Sequence, residues 1–203
     1  MSPDIEGFTL AEPIVAYRTW YIKPMIVPLF QEEDDCEDYG EYPLALYPMS
    51  NKTAWQKGVN EAECKTTTSA KNIYHESHQS PHPQCLCGLH ANFAYKNKDQ
   101  ITGWSIFAGS MIIDGAVLMW GDMYAGESVI RAQYAEPLAL IADDGEGKTL
   151  AEDYGIPACK NEKELAYVAT ENYSTMPTDV YNSLVRITRA QSETIRKLLD
   201  PEA

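Results

Sequence analysis

Positive charge is scarce in this chain: 16 Lys and Arg stand against 30 Asp and Glu over 203 residues, a formal net charge of -14. Binding to nucleic acid or to an anionic membrane depends on cations that neutralise phosphate, so both are disfavoured as direct functions, and a basic protein partner is favoured instead. Long hydrophobic runs are missing too. The most apolar stretch, 104–120, is interrupted by Gly109, Ser110, Asp114 and Gly115, which makes it too short and too broken for a membrane span. The opening residues, MSPDIEGFTLAEP, lack the basic cluster and apolar run of a secretory leader, so a reducing, cytoplasmic setting is expected. The five cysteines, an odd number, then read as thiols rather than as a disulfide framework. A phosphate-binding glycine loop and a Gly-x-Ser-x-Gly nucleophile turn are both absent, which removes two common enzyme classes.

One stretch carries specific chemistry. All four histidines, His75, His78, His82 and His90, crowd around Cys85 and Cys87, with Cys64 a short way upstream. Thiolate sulfur and imidazole nitrogen together suit a tetrahedral zinc ion, and a site closed by four protein ligands is usually structural. Cys85-x-Cys87 is tighter than the usual Cys-x2-Cys knuckle, and spacing alone leaves open which histidine completes the set. The plainer reading is a polar loop beside two buried thiols.

Catalytic templates fit poorly. A zinc deaminase needs His-x-Glu followed by Pro-Cys-x-x-Cys, but here His75 and Glu76 are adjacent. A zincin needs His-Glu-x-x-His on a helix, and His75-Glu76-Ser77-His78 is one residue short. Cys159 is a nucleophile candidate only by default and reads more simply as a small packed thiol. Cys36 lies in the acidic run 31–42, where neighbouring carboxylates oppose its thiolate. That run itself reads as a solvated loop or as a docking surface for a basic partner.

The fold expected is α+β, a single domain over 1–203. A small, mostly antiparallel sheet is predicted from 14–22, 111–120, 127–134 and 137–142, with a short edge strand at 25–30. A zinc-stapled segment, 64–95, should pack against it, with a short helix leading to Cys64 and one or two helical turns following Gly88. Helices are predicted at 148–154, where Gly155 ends the helix, at 162–172, where Asn161 caps it, and at 178–199. Arg18 and Arg131 each sit in an apolar, strand-like stretch, and if either turns inward it needs an acid or a carbonyl. The four tryptophans read as packing residues.

The run His78-Gln79-Ser80-Pro81 followed by Cys85-Leu86-Cys87-Gly88-Leu89-His90-Ala91 resembles a His-x-x-Pro-x-x-x-Cys-x-Cys-Gly-Ile-Tyr-Ala signature. That signature belongs to uncharacterised proteins of actinobacteria and their phages. Tyr17-Arg18-Thr19-Trp20, the group Trp55, Gly58, Ala62 and Cys64, the run Gly115 to Gly121, and Arg131-Ala132 through Ala135 are similar to further segments of that family in the same order. The resemblance covers roughly 17–157 and implies the ligand set Cys64, His78, Cys85 and Cys87 for Zn2+. His90 stands where the pattern has Tyr, and Val129 where it has Gly. No activity comes with the family.

The function expected is therefore a non-catalytic, zinc-stabilised acidic binding or adaptor protein. A phage-derived, host-directed inhibitor or a DNA mimic would be special cases of it. The competing class is a metal-dependent hydrolase, in which one of the four positions would hold water.

Overall fold

Alternating burial builds the sheet. In β1 (Phe8–Pro24), Ile14, Ala16, Trp20 and Ile22 point to one side and Val15 and Tyr17 to the other. In β5 (Met111–Ala125), Ile113, Val117 and Met119 share the first side, while Ala116, Leu118 and Trp120 share the second. The computed structural model describes residues 8–24, 43–48, 53–64, 79–82, 85, 87–95, 111–126, 129–143 and 145–199, with side chains up to 190 and at 193. The acidic run 31–42 and the expected edge strand 25–30 lie outside the described residues.

The frame is a meander of three long strands, β1, β5 and β6 (Val129–Ile141), paired antiparallel in that order. Short strands cover its outer edges. β2 (Leu44–Tyr47) and β8 (Ser174–Thr175) lie along β1, while β3 (Asn60–Glu61) and β7 (Ala158–Cys159) lie along β6. β4 (Leu89–Asn92) pairs with β6 and, at Asn92 opposite Tyr17, with β1. The path β1–β5–β6–β4 thus returns to β1 and closes into a ring, which removes an exposed edge. The fold is α+β as expected, but the sheet has eight strands rather than being small. Among the described residues, only β7 and β8 pair parallel.

Two bulges interrupt the pairing of β5 with β6. Between Trp120↔Tyr134 and Met123↔Ala132, Gly121 and Asp122 of β5 oppose the single residue Gln133. Gly121 has φ 80, the left-handed conformation such a bulge requires. Between Ala116↔Ala139 and Val117↔Pro137 the extra residue is Leu138 of β6. The sequence predicts two strands, 127–134 and 137–142, divided before Pro137. Instead one strand runs through, because the shift falls where proline has no N–H to give the ladder.

Among the described residues, three helices cover the sheet. α1 (Gly145–Tyr154) ends at Gly155, whose φ is 70; Gly155 N donates to Glu152 O and Ile156 N to Ala151 O, satisfying the terminal carbonyls. Asn161 caps α2 (Glu162–Glu171), its side chain accepting from Lys163 N and Glu164 N. α3 (Thr178–Leu199) is fastened by Tyr181, which stacks on Phe93 with ring centroids 4.1 Å apart and donates to Gly126 O at 2.7 Å. Residues of α1 and α3 join Trp20, Trp55, Met119 and Ile130 in the main core, while Leu165 and Ala169 of α2 pack on the opposite face with Val15 and Leu118. No helix among the described residues is long and apolar enough to cross a membrane.

Two local expectations are corrected. The residues after Gly88 are not helical turns but β4, because their backbone groups bridge β6 and β1. Among the described residues of 43–63 no helix precedes Cys64. β2, the bridge Leu46↔Trp55 and β3 occupy that stretch.

Candidate metal centre

The site forms at a break in the strand that lies beside β6. β3 and β4 lie on the same edge of β6 and run in the same direction: Asn60 faces Ala135, Glu61 faces Tyr134, and Leu89 to Asn92 face Ala132 to Val129. Ala62 N still donates to Gln133 O at 2.7 Å. Among the described residues that bond is the last to β6 on this side, two residues before Cys64, and pairing with the same edge resumes at Leu89, two residues beyond Cys87. β3 and β4 are thus two halves of one interrupted strand, with Cys64 at the end of the first and Cys85 and Cys87 before the second.

Both approaches are held by polar contacts. Asn60 Oδ1 accepts from Gln56 N at 2.7 Å, and its Nδ2 donates to Gln56 O and Gly58 O, both at 3.0 Å. Upstream, the Tyr154 hydroxyl donates to Trp55 O at 2.6 Å and accepts from Leu46 N at 3.2 Å. Trp55 packs edge-on against Trp20, ring centroids 5.5 Å apart. On the other side Gly88 has φ 118, and a Cβ there would stand 3.0 Å from Pro81 Cβ and 3.2 Å from Arg131 Cβ. Only glycine fits without strain.

The sulfur atoms of Cys64, Cys85 and Cys87 all lie within 4.8 Å of one another, and the Cys64 and Cys85 sulfurs are 3.7 Å apart. All three residues are half-buried. Three sulfurs at such separations can share one ion of the size and softness of zinc. Burial is the main force on Cys87, pushing its thiol up to about 12; Cys85 and Cys64 add to this, and the Ser80 hydroxyl opposes it. At neutral pH the Cys87 thiol holds its proton unless a cation replaces it, and a divalent metal would do so. The Ser80 hydroxyl is buried and favours the ionised form of Cys87.

Arg131, on β6, organises the loop. Its Nη1 donates to the carbonyls of Cys85, of His82 at 3.2 Å and of Cys87 at 3.4 Å. One guanidinium nitrogen thus gathers the backbone around both cysteines of the pair, and its charge lies beside their sulfurs. Burial pulls Arg131 below its ordinary value, and the Cys87 and Cys85 sulfurs oppose that. Arg18, fully inside the ring, meets β4 from the opposite strand: its Nη1 donates to His90 O, and its guanidinium lies 4.8 Å from the Trp55 ring centroid. Burial lowers Arg18 to about 9, which leaves it charged at neutral pH. Both arginines therefore use carbonyls rather than acids.

Of the four expected ligands, Cys64, Cys85 and Cys87 converge, while His78, like His75, lies outside the described residues. No described histidine or carboxylate places a donor within 4.8 Å of all three sulfurs. His90 instead stands within β4 opposite Arg131, and His82 contributes its carbonyl to Arg131 and to Cys85 N. Cys159 is buried on the far face with Leu165 and Ala169. Sequence reasoning missed the collar role of Arg131, the buried Ser80 and the need for glycine at 88. The one available signal was an arginine in an apolar strand, which needs a carbonyl or an acid but does not say which. No family model, curated protein or solved structure matches this chain.

Proposed function

We propose that the protein is a non-catalytic binding protein in which a zinc ion, held by Cys64, Cys85 and Cys87 with His78 as fourth ligand, locks the broken edge strand and so fixes a surface for a basic protein partner. The observation that carries this reading is the position of the thiols at the junction of β3 and β4, with the adjoining carbonyls gathered by Arg131. A metal so placed holds two segments together, which is the work of a structural site. The net charge of -14 supports a basic partner and argues against direct contact with nucleic acid. The resemblance to actinobacterial and phage proteins favours a host protein as that partner.

Elemental analysis of protein purified without added metal, beside Cys87→Ser, tests the reading. The expected result is about one zinc per chain in the wild type, lost in the variant together with a marked fall in the midpoint of unfolding. Zinc lost while the fold stays intact would favour the hydrolase reading, in which the metal serves chemistry. A wild-type protein without metal would reject the site.

A further inference from the structure

We propose that Cys64 and Cys85 are a reversible oxidation site: a peroxide-class oxidant joins them in a disulfide that takes the place of the metal. The proposal deepens the zinc reading above and rests on it for the reduced state. Its own basis is geometric. The Cys64 and Cys85 sulfurs stand 3.7 Å apart, so a small movement brings them to bonding distance. The alternative partner for Cys85 is Cys87, two residues away, and a bridge across a single intervening residue closes a small, strained ring. Cys64 belongs to a different segment, so its bridge to Cys85 carries no such strain. Cys87 is engaged elsewhere as well, with the Ser80 hydroxyl beside its sulfur and its carbonyl accepting from Arg131, although its sulfur also meets that of Cys85. Cys64, Cys85 and Cys87 are each partly exposed residues, whereas Cys159 is buried.

The step balances. One thiolate attacks a peroxide oxygen, the O–O bond breaks, and a sulfenic acid forms as hydroxide leaves. The second thiolate attacks that sulfur, the S–S bond forms, and a second hydroxide leaves. Two electrons pass from the sulfur pair to hydrogen peroxide, and two protons from solvent convert the hydroxides to water. The metal, having lost two of its ligands, dissociates. The new bond spans the same two segments that the metal spanned, so the break between β3 and β4 stays closed in either state. A thiol reductant reverses the step by exchange.

The test treats the purified, metal-bearing protein with hydrogen peroxide. Released zinc is read with a chromogenic chelator, intact mass and thiol count are recorded, and peptides are mapped without reduction. The expected outcome is loss of about one zinc per chain, a mass lower by about 2 Da, and a Cys64–Cys85 cross-linked peptide. Dithiothreitol with added zinc should restore the starting state. Zinc retained under peroxide, a Cys85–Cys87 or interchain link, or sulfinic acid without a disulfide would each overturn the proposal. The same mapping on chelator-treated protein keeps the two readings apart. A protein isolated without metal that still forms the Cys64–Cys85 link refutes the zinc site but not the oxidation site.

Discussion

Through one guanidinium nitrogen Arg131 joins three backbone carbonyls around the thiol site. Replacing it by glutamine removes the charge beside the sulfurs and leaves the carbonyls of His82, Cys85 and Cys87 without their shared donor. We expect Arg131→Gln to lower unfolding stability by about 2 kcal/mol and to weaken metal binding by roughly 10–100-fold, read by denaturant titration and by competition with a chelator. Gly88→Ala should act through the backbone, since its φ of 118 and the closeness of Pro81 and Arg131 both oppose a side chain. A loss of about 1–3 kcal/mol is expected. Cys87 gives a pH dependence in the metal-free protein. Its thiol is raised from 9.0 to about 12, so above pH 9 the folded chain keeps a proton that the unfolded chain has released. Stability therefore falls as pH rises through that window. Thermal unfolding of metal-free wild type and Cys87→Ala, below and above pH 9, should show the wild type losing more. The thiols themselves were legible in the sequence because soft ligands clustered with histidines have few other uses. Arg131 was legible only as a charge seeking a partner, since the carbonyls it meets lie far along the chain.

At the scale of elements, the decisive piece is β4. Four residues join β6 to β1, and the thiol pair and Gly88 lead into them. Chelation of the metal should raise amide exchange first in β4 and β3, while the β1–β5 ladder keeps its protection; hydrogen exchange followed by peptide mass analysis would show the order. The Tyr154 hydroxyl ties α1 to both Leu46 and Trp55, so Tyr154→Phe should cost about 2 kcal/mol by leaving buried backbone groups unpaired, measurable in urea. The long strands and all three helices followed from alternation, caps and helix-ending glycine. β4 did not, because Leu-His-Ala-Asn has no pronounced local preference and becomes a strand through the edges it meets. Pro137 misled for a related reason: a proline divides a strand locally, but a bulge in the pairing absorbs it.

For the molecule as a whole, acidity and ring closure act together. A partner recognised through a net charge of -14 should bind more weakly as salt rises, because contacts between exposed charges are screened. Interaction measurements at low and high ionic strength check this, and binding indifferent to salt would point to an apolar contact surface. The α+β class was readable from the order of strand-like and helix-like segments. The extent of the sheet was not, since strands of two residues leave no periodic trace. The interrupted edge also bears on how the chain is made. Synthesis delivers Cys64, Cys85 and Cys87 before β5 and β6 exist, so on the ribosome the thiols emerge without the strand that seats them and without Arg131. Ion capture by the nascent chain would draw its two cysteine-bearing arms together early and offer the later strands a ready-made edge. Capture after release would instead leave reactive sulfur exposed throughout elongation. With a metal at this site, the timing of its supply relative to translation would bear on the yield of folded molecules, independently of how stable the finished protein is.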